Sequence, residues 1–182
     1  MNEQIEKLKQ LQNQNILAQK RGIHFLLTAV LILSAILGIR MTSLSLERMN
    51  LLTFCAAAPM MPIALGFSRV FHIDFQNKEN PLSMLGLVFT LNQLLYLLIP
   101  MWAMFAAPRH MLMLYLIIFG AHLLPYGWLY QSRSYTVFSL LITFTAFFLG
   151  LAGNQILMAA AVVLLQILFC LSVLRENRNQ GQ

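Results

Sequence analysis

Six stretches of this 182-residue chain run for 18 to 24 residues with no Asp, Glu, Lys or Arg near their middles. They are Gly22–Ile39, Leu51–Phe71, Leu82–Phe105, Met111–Tyr130, Tyr135–Ala152 and Ile156–Leu174. At about 1.5 Å of rise per residue, a helix of such length crosses a hydrocarbon layer of about 30 Å. The chain is 59% hydrophobic and 10% charged, with a mean hydropathy of +0.70. A soluble domain carries about 25% charged residues, so a water-facing shell cannot be assembled here and lipid must serve as the solvent. The expected fold is all-α: an integral-membrane bundle of six transmembrane helices in one domain. Residues 1–21 read as a cytoplasmic amphipathic segment, 22–174 as the six-span membrane domain and 175–182 as a cytoplasmic tail. The first apolar run follows a long Gln/Asn-rich segment with no clear small-residue cleavage site, and is expected to be retained as a span.

Orientation follows from the cations. Lys7, Lys9, Lys20, Arg21, Arg69, Lys78, Arg133, Arg175 and Arg178 fall on the side of the N-terminus, whereas Arg40, Arg48 and Arg109 fall on the other. Cytoplasmic loops carry the Lys/Arg excess, so both termini are expected in the cytoplasm, with Trp128, Tyr130 and Tyr135 at that interface. The net charge of +6 is accounted for by topology, and no basic block with interleaved aromatics points to nucleic acid. In the N-terminal segment, Ile5, Leu8 and Ile16 lie roughly on one helical face. That segment reads as a solvated helix, with an extension of the first span or a helix lying on the membrane as alternatives.

The lack of mid-span charge bears on function. Ion-coupled transport generally needs an intramembrane carboxylate or lysine, and no Gly-x-Ser-x-Gly elbow or nearby acid marks a serine hydrolase. Enzymatic activity is therefore disfavoured, and no cofactor or metal site is expected. Cys55 and Cys170 fall near opposite faces, too far apart for a disulfide, and read as small core residues. In the loop Arg69–Pro81, a His72-x-Asp74 pair is a weak signal for metal or phosphate beside the simpler reading of a solvated loop.

The remaining polar residues gather at middle depth. His122, Tyr126 and Tyr130 recur every fourth residue and share a helix face, with Tyr115 and Phe119 continuing it. His122 should face the bundle, because an unpartnered polar group in lipid is costly. It reads either as a neutral ring bonded to a neighbouring helix or as a ligand contact or proton carrier. Asn92 and Gln93 sit at similar depth as its natural partners, with Tyr96 one turn from Asn92. Gln166 in the sixth span is placed to join the same interior, while His24 near the first interface should be hydrated. Pro125, Pro100 and the Pro59–Pro62 pair each remove a helix N–H donor and should kink or break three spans. Thr136, Ser139, Thr143, Ala146 and Gly150 form a small-residue packing stripe. "APMMPIA" (residues 58–64) also aligns without gaps on "AHLLPYG" (121–127), a faint internal repeat in two spans of equal direction. Paired interrupted helices point to a binding site in the membrane interior.

"NPLSMLG" at the start of the third span and "GAHLLPYGWLYQSRSY" at the end of the fourth resemble the NPLxxLG and GAHxLPYGWxYxSxxY signatures of a family of small multi-pass bacterial membrane proteins of unknown function. The resemblance covers most of the chain from the first span onward. It implies a bacterial plasma membrane and brings no activity or catalytic residue with it.

Together these features favour a protein whose cytoplasm-facing interior binds or passes a small neutral or amphipathic ligand. The candidate contacts are His122, Tyr126, Asn92, Gln93, Tyr96 and Gln166. A structural or regulatory subunit, meeting a membrane partner or a second copy of itself, is the alternative. A membrane-embedded enzyme acting on lipid, with His122 and Tyr126 as acid and base, is the third reading.

Overall fold

The computed structural model describes residues 2–73 and 80–180; Asp74 and Lys78 of the second connection lie outside them. The elements are α1 (Asn2–Gln19), α2 (Ile23–Arg40), α3 (Leu46–Ala57), α4 (Met60–Val70), α5 (Pro81–Tyr96), α6 (Leu98–Ala106), α7 (Met111–Ala121), α8 (Leu124–Leu129), α9 (Arg133–Leu151) and α10 (Gln155–Gln180). Among the described residues there is no strand, and six helices are long and apolar enough to cross a membrane. The first span is α2, the second α3 with α4, the third α5 with α6, and the fourth α7 with α8. The fifth and sixth are α9 and α10.

Every proline expected to interrupt a span does so. The second span breaks at Ala58 and Pro59, the third at Leu97 ahead of Pro100, and the fourth at His122 and Leu123 ahead of Pro125. In each case the ring withholds a donor from the preceding turn and crowds its carbonyl. Asn80 caps α5 by accepting from the Leu82 amide at 3.0 Å, with Pro81 in the first turn where its missing N–H costs nothing.

The core is built from α2, α7, α9 and α10. The most extensive packing joins α7 to α9, and α10 to both α2 and α9. The small-residue stripe of α9 faces the fourth span. Ser139 Oγ donates to the Gly120 carbonyl at 2.9 Å, and Gly120 lies so close to Thr143 that a Cβ there would sit 2.8 Å from the Thr143 nitrogen. Gly127 meets Thr136 in the same way. Such contacts suit a bundle in lipid, where close backbone approach supplies the dispersion that a hydrophobic effect cannot.

The second and third spans are peripheral. In the most apolar 18-residue stretch of each span, 17% and 6% of residues are buried, against 50% in the first. Phe105, Leu95 and Trp102 are 81%, 65% and 65% exposed, as suits side chains facing lipid. Cys55 is exposed rather than packed in the core, because Asn50 and Thr53 form the buried side of α3; Cys170 is buried as expected, and both thiols are free.

A left-handed joint connects α1 to the membrane bundle. Lys20, Arg21 and Gly22 have φ of 46°, 51° and 65°, a region that costs a residue with a Cβ about 1–2 kcal/mol. Side chains hold the joint in place. Asn177 Nδ2 donates to the Lys20 carbonyl at 2.9 Å, Tyr135 Oη donates to the Arg21 carbonyl at 2.7 Å, and Lys20 Nζ donates to the Phe71 carbonyl at 2.8 Å. The Arg21 side chain is itself buried, donating to Asn177 Oδ1 at 2.7 Å and lying 3.6 Å from Glu176 Oε2.

Beyond the joint, α1 folds under the bundle. Its contact face is Gln12, Asn15, Ile16 and Gln19, whereas Ile5 and Leu8 are 47% and 37% exposed. Gln12 Nε2 donates to the Trp128 carbonyl at 2.9 Å, Tyr130 Oη to Gln19 Oε1 at 2.7 Å, and Asn80 Nδ2 to the Leu11 carbonyl at 2.8 Å. This docking corrects three expectations. Tyr130 and Tyr135 are each 3% exposed, not belt residues, because α1 and its joint cover them; Trp128 stays exposed. His24 is 1% exposed, its ring against Phe25, so it is not hydrated.

At the opposite face Arg40 is buried and bonds only neutral partners among the described residues. It donates to Gln155 Oε1 and Thr53 Oγ1, both at 2.9 Å, tying the first, second and sixth spans together.

Glycines separate packing from conformation. Gly120→Ala should destabilise the protein by about 1–3 kcal/mol through overpacking. At Gly38 and Gly66 a Cβ meets nothing within 4 Å, so alanine there should be neutral or stabilise by up to about 1 kcal/mol. Thermal unfolding in detergent, with the three variants side by side, checks both signs.

Candidate functional site

The peripheral spans leave a cleft between themselves and the core. On the second span α4 packs along α2; on the third, α5 rests against α1 and α8. The two spans meet through α3 and α6, at the end remote from α1. Two adjoining cavities of about 340 Å³ and 290 Å³ occupy the resulting space, near the lower end of the range of roughly 300–1,000 Å³ usual for small-molecule sites. Phe25, Met61, Leu87, Thr90, Tyr126 and Tyr130 border both.

All three helix breaks open onto this space. Ala58 of the second span, Leu97 of the third, and His122 with Leu123 of the fourth line the deeper cavity. Residues of the two aligned segments, 58–64 and 121–127, therefore contribute to the walls of a single cleft.

The cleft has polar and apolar ends. Gln19, Asn80 and Ser83 line it near α1, with Thr90, Tyr126 and Tyr130 beyond them. Deeper in, its wall is Leu26, Phe54, Ala57, Leu91, Leu94 and Leu97, relieved by Gln93 and His122. No Lys, Arg, Asp or Glu lines either cavity among the described residues. Nor do those residues contain a group of three or more His, Cys, Asp or Glu able to hold a metal ion.

Tyr126 fastens the third span to the fourth. Its hydroxyl donates to the Gly86 carbonyl at 2.8 Å and shares a 2.8 Å bond with Thr90 Oγ1. Ser83 Oγ adds a 3.0 Å bond to Asn15 Oδ1 of α1. Since α5 buries little apolar surface, these bonds and the Asn80–Leu11 contact are its main ties to the bundle.

The sequence-derived candidates separate into three places. His122, Tyr126 and Gln93 line the cleft. The His122 ring lies between Phe119 and Tyr126, and its Nδ1 bonds the Phe119 carbonyl one turn back in its own helix. Asn92 is exposed and Tyr96 is 47% exposed, both on the outer side of α5, because the turn of that helix presenting Gly86, Thr90 and Gln93 inward carries its neighbours outward. Gln166 is fully buried elsewhere, between α10 and α2, donating to the Leu26 carbonyl at 3.2 Å. Thr90, Gly86, Ser83 and Gln19 were not among the candidates. The Gly86–Thr90 spacing of one helical turn was the available signal, since it places a small residue and a hydroxyl on one face.

Removing one oxygen tests the tie. Tyr126→Phe should cost about 0.5–1.5 kcal/mol, concentrated in α5. Amide exchange should quicken across residues 83–93 and stay unchanged in α9; equal change in both helices would assign Tyr126 to the core instead.

No curated protein and no solved structure matches the chain. A family model of unknown function matches residues 8–176, from within α1 through the apolar part of the sixth span. The chain belongs to that family, DUF7010.

Proposed function

We propose that this is a multi-pass protein of a bacterial plasma membrane, with both termini in the cytoplasm, whose cleft binds or passes a small neutral or amphipathic ligand. The observation that carries the reading is the convergence of three proline-associated helix breaks on one cavity. A broken helix in lipid leaves carbonyls short of a donor, and such backbone is tolerated where protein or a polar cavity surrounds it. Breaks in three separate spans, directed into one space, favour a site over incidental kinks. The uncharged lining favours a neutral ligand, because a buried ion without a partner is strongly disfavoured. His122 and Tyr126 stand where they could contact it.

Filling the cavity tests the reading. Protein purified in native-lipid nanodiscs should release a small molecule or lipid on denaturation, identified by mass spectrometry. Ala57→Phe should lower its occupancy by about tenfold, equivalent to 1.4 kcal/mol. Equal occupancy in the filled variant would place any bound molecule elsewhere.

The proposed orientation rests on the nine cations of one side against three of the other. Fusions at Gln182 should give a fluorescent green reporter and an inactive alkaline phosphatase, and a fusion in the Met41–Ser45 loop should give the converse.

A further inference from the structure

The cleft is open at one side. Its walls on the α1 half of the membrane are α4 and α5, which pack on different neighbours rather than extensively on each other, whereas α3 and α6 close the other half. Met61 on α4 and Met84 on α5 both line the cleft and are 38% and 63% exposed, so the cleft reaches the lipid-facing surface between them. The opening extends from the interface into the hydrocarbon layer: Met84 is about 5 Å along the helix axis from Pro81 at that interface, and Met61 about 14 Å from Val70.

The polarity of the cleft has the same direction as that of a lipid in the adjoining leaflet. Asn80 and Ser83 stand at the interface end, Thr90 and Tyr126 below them, and Leu94, Leu97 and Ala57 deeper still. A lipid moving sideways through the opening would bring its head group to the amides and hydroxyls and its chain to the leucines, without turning over. A charged head group would meet no counter-charge on the described lining.

Resting on the ligand-binding reading above, we propose that the cleft takes a lipid with an uncharged, hydroxyl-bearing head group from the leaflet on the α1 side, through a lateral portal between α4 and α5. The head group is held beside Asn80, Ser83 and Thr90, and the chain lies along the deeper wall toward Leu97. Tyr126, by tying α5 to α8, fixes the width of the portal.

The test uses the full chain in nanodiscs and three photoactivatable probes with the same chain: a monoacylglycerol, a fatty acid and an alkyl trimethylammonium. Diazirines are placed either near the head or at the chain end. The monoacylglycerol should label the protein at least tenfold more than either charged probe. Its head diazirine should mark residues 80–90 and its chain-end diazirine residues 94–97 and 57–61; a reversed pattern, or equal labelling by a charged probe, overturns the assignment. For the portal, Leu65→Cys and Val88→Cys are combined in a Cys55→Ala background, flanking the lining residues of α4 and α5. Bridging the two thiols with bifunctional reagents of graded length should slow monoacylglycerol loading at least tenfold relative to the same protein capped with a monofunctional reagent. Loading at the capped rate when bridged overturns the portal and leaves the cleft as the site. Absence of labelling in the cleft by all three probes overturns the ligand-binding reading itself.

Discussion

One carboxylate organises the end of the bundle where α1 joins it. Glu176 accepts from Ser132 Oγ and Ser134 Oγ, each at 2.6 Å, and from the Ser134 amide at 3.0 Å, and it lies beside Arg21. The three hydrogen bonds place a negative charge at the start of α9, where the unpaired amides and helix dipole favour it. The contact with Arg21 neutralises a buried guanidinium that otherwise lacks an ionic partner among the described residues. Glu176 therefore joins the first, fifth and sixth spans at the level where the chain bends through three left-handed residues. That bend directs α1 under α8, and α1 in turn supplies Gln19 to the floor of the cleft and Asn15 as partner to Ser83 in its wall. The geometry of the cleft thus depends on an ion pair some distance from it.

The division between a packed core and two loosely held spans follows from residue size. The fourth and fifth spans carry glycine, alanine, serine and threonine where they meet, and approach closely. The third span offers Leu94, Leu95, Leu98 and Trp102 around its circumference, which lipid satisfies as well as protein does. What fixes α5 is therefore polar: a tyrosine hydroxyl, a serine and an asparagine. A wall held in this way can give without disturbing the core, and it is the wall through which the cleft meets the bilayer.

Much of this was legible in the sequence because it depends on local chemistry. The six spans follow from apolar length, the breaks from four prolines, the α5 cap from Asn80 and Pro81, and the packing stripe of α9 from small residues at helical spacing. The inward aspect of Tyr126 and His122 followed from the same spacing. Rotation of α5 did not. Asn92 and Gln93 are adjacent in sequence but about 100° apart around a helix, and only tertiary contact decides which of them faces inward. Nor was the role of α1 legible. Its visible apolar residues, Ile5 and Leu8, are exposed, and it docks through Gln12, Asn15 and Gln19, whose amides find carbonyls and hydroxyls on α5 and α8. Arg21 and Glu176 were visible only as charges at span ends, because 155 residues of chain separate the partners of their ion pair.

That separation bears on how the protein is made. The first span packs on the sixth as extensively as on the second, and Arg21 meets its carboxylate only on α10. During synthesis the first helix enters the bilayer long before its partner has been translated. The second span, which follows it directly, packs along it but supplies no partner to the Arg21 side chain, whose bonds go to Asn177 and Glu176. An incomplete chain consequently leaves an arginine and the Lys20 carbonyl without their partners from α10. The insertion of the final helix is then the event that completes the joint, since until it occurs Arg21 lacks Glu176 and Asn177 and the Lys20 carbonyl lacks its donor.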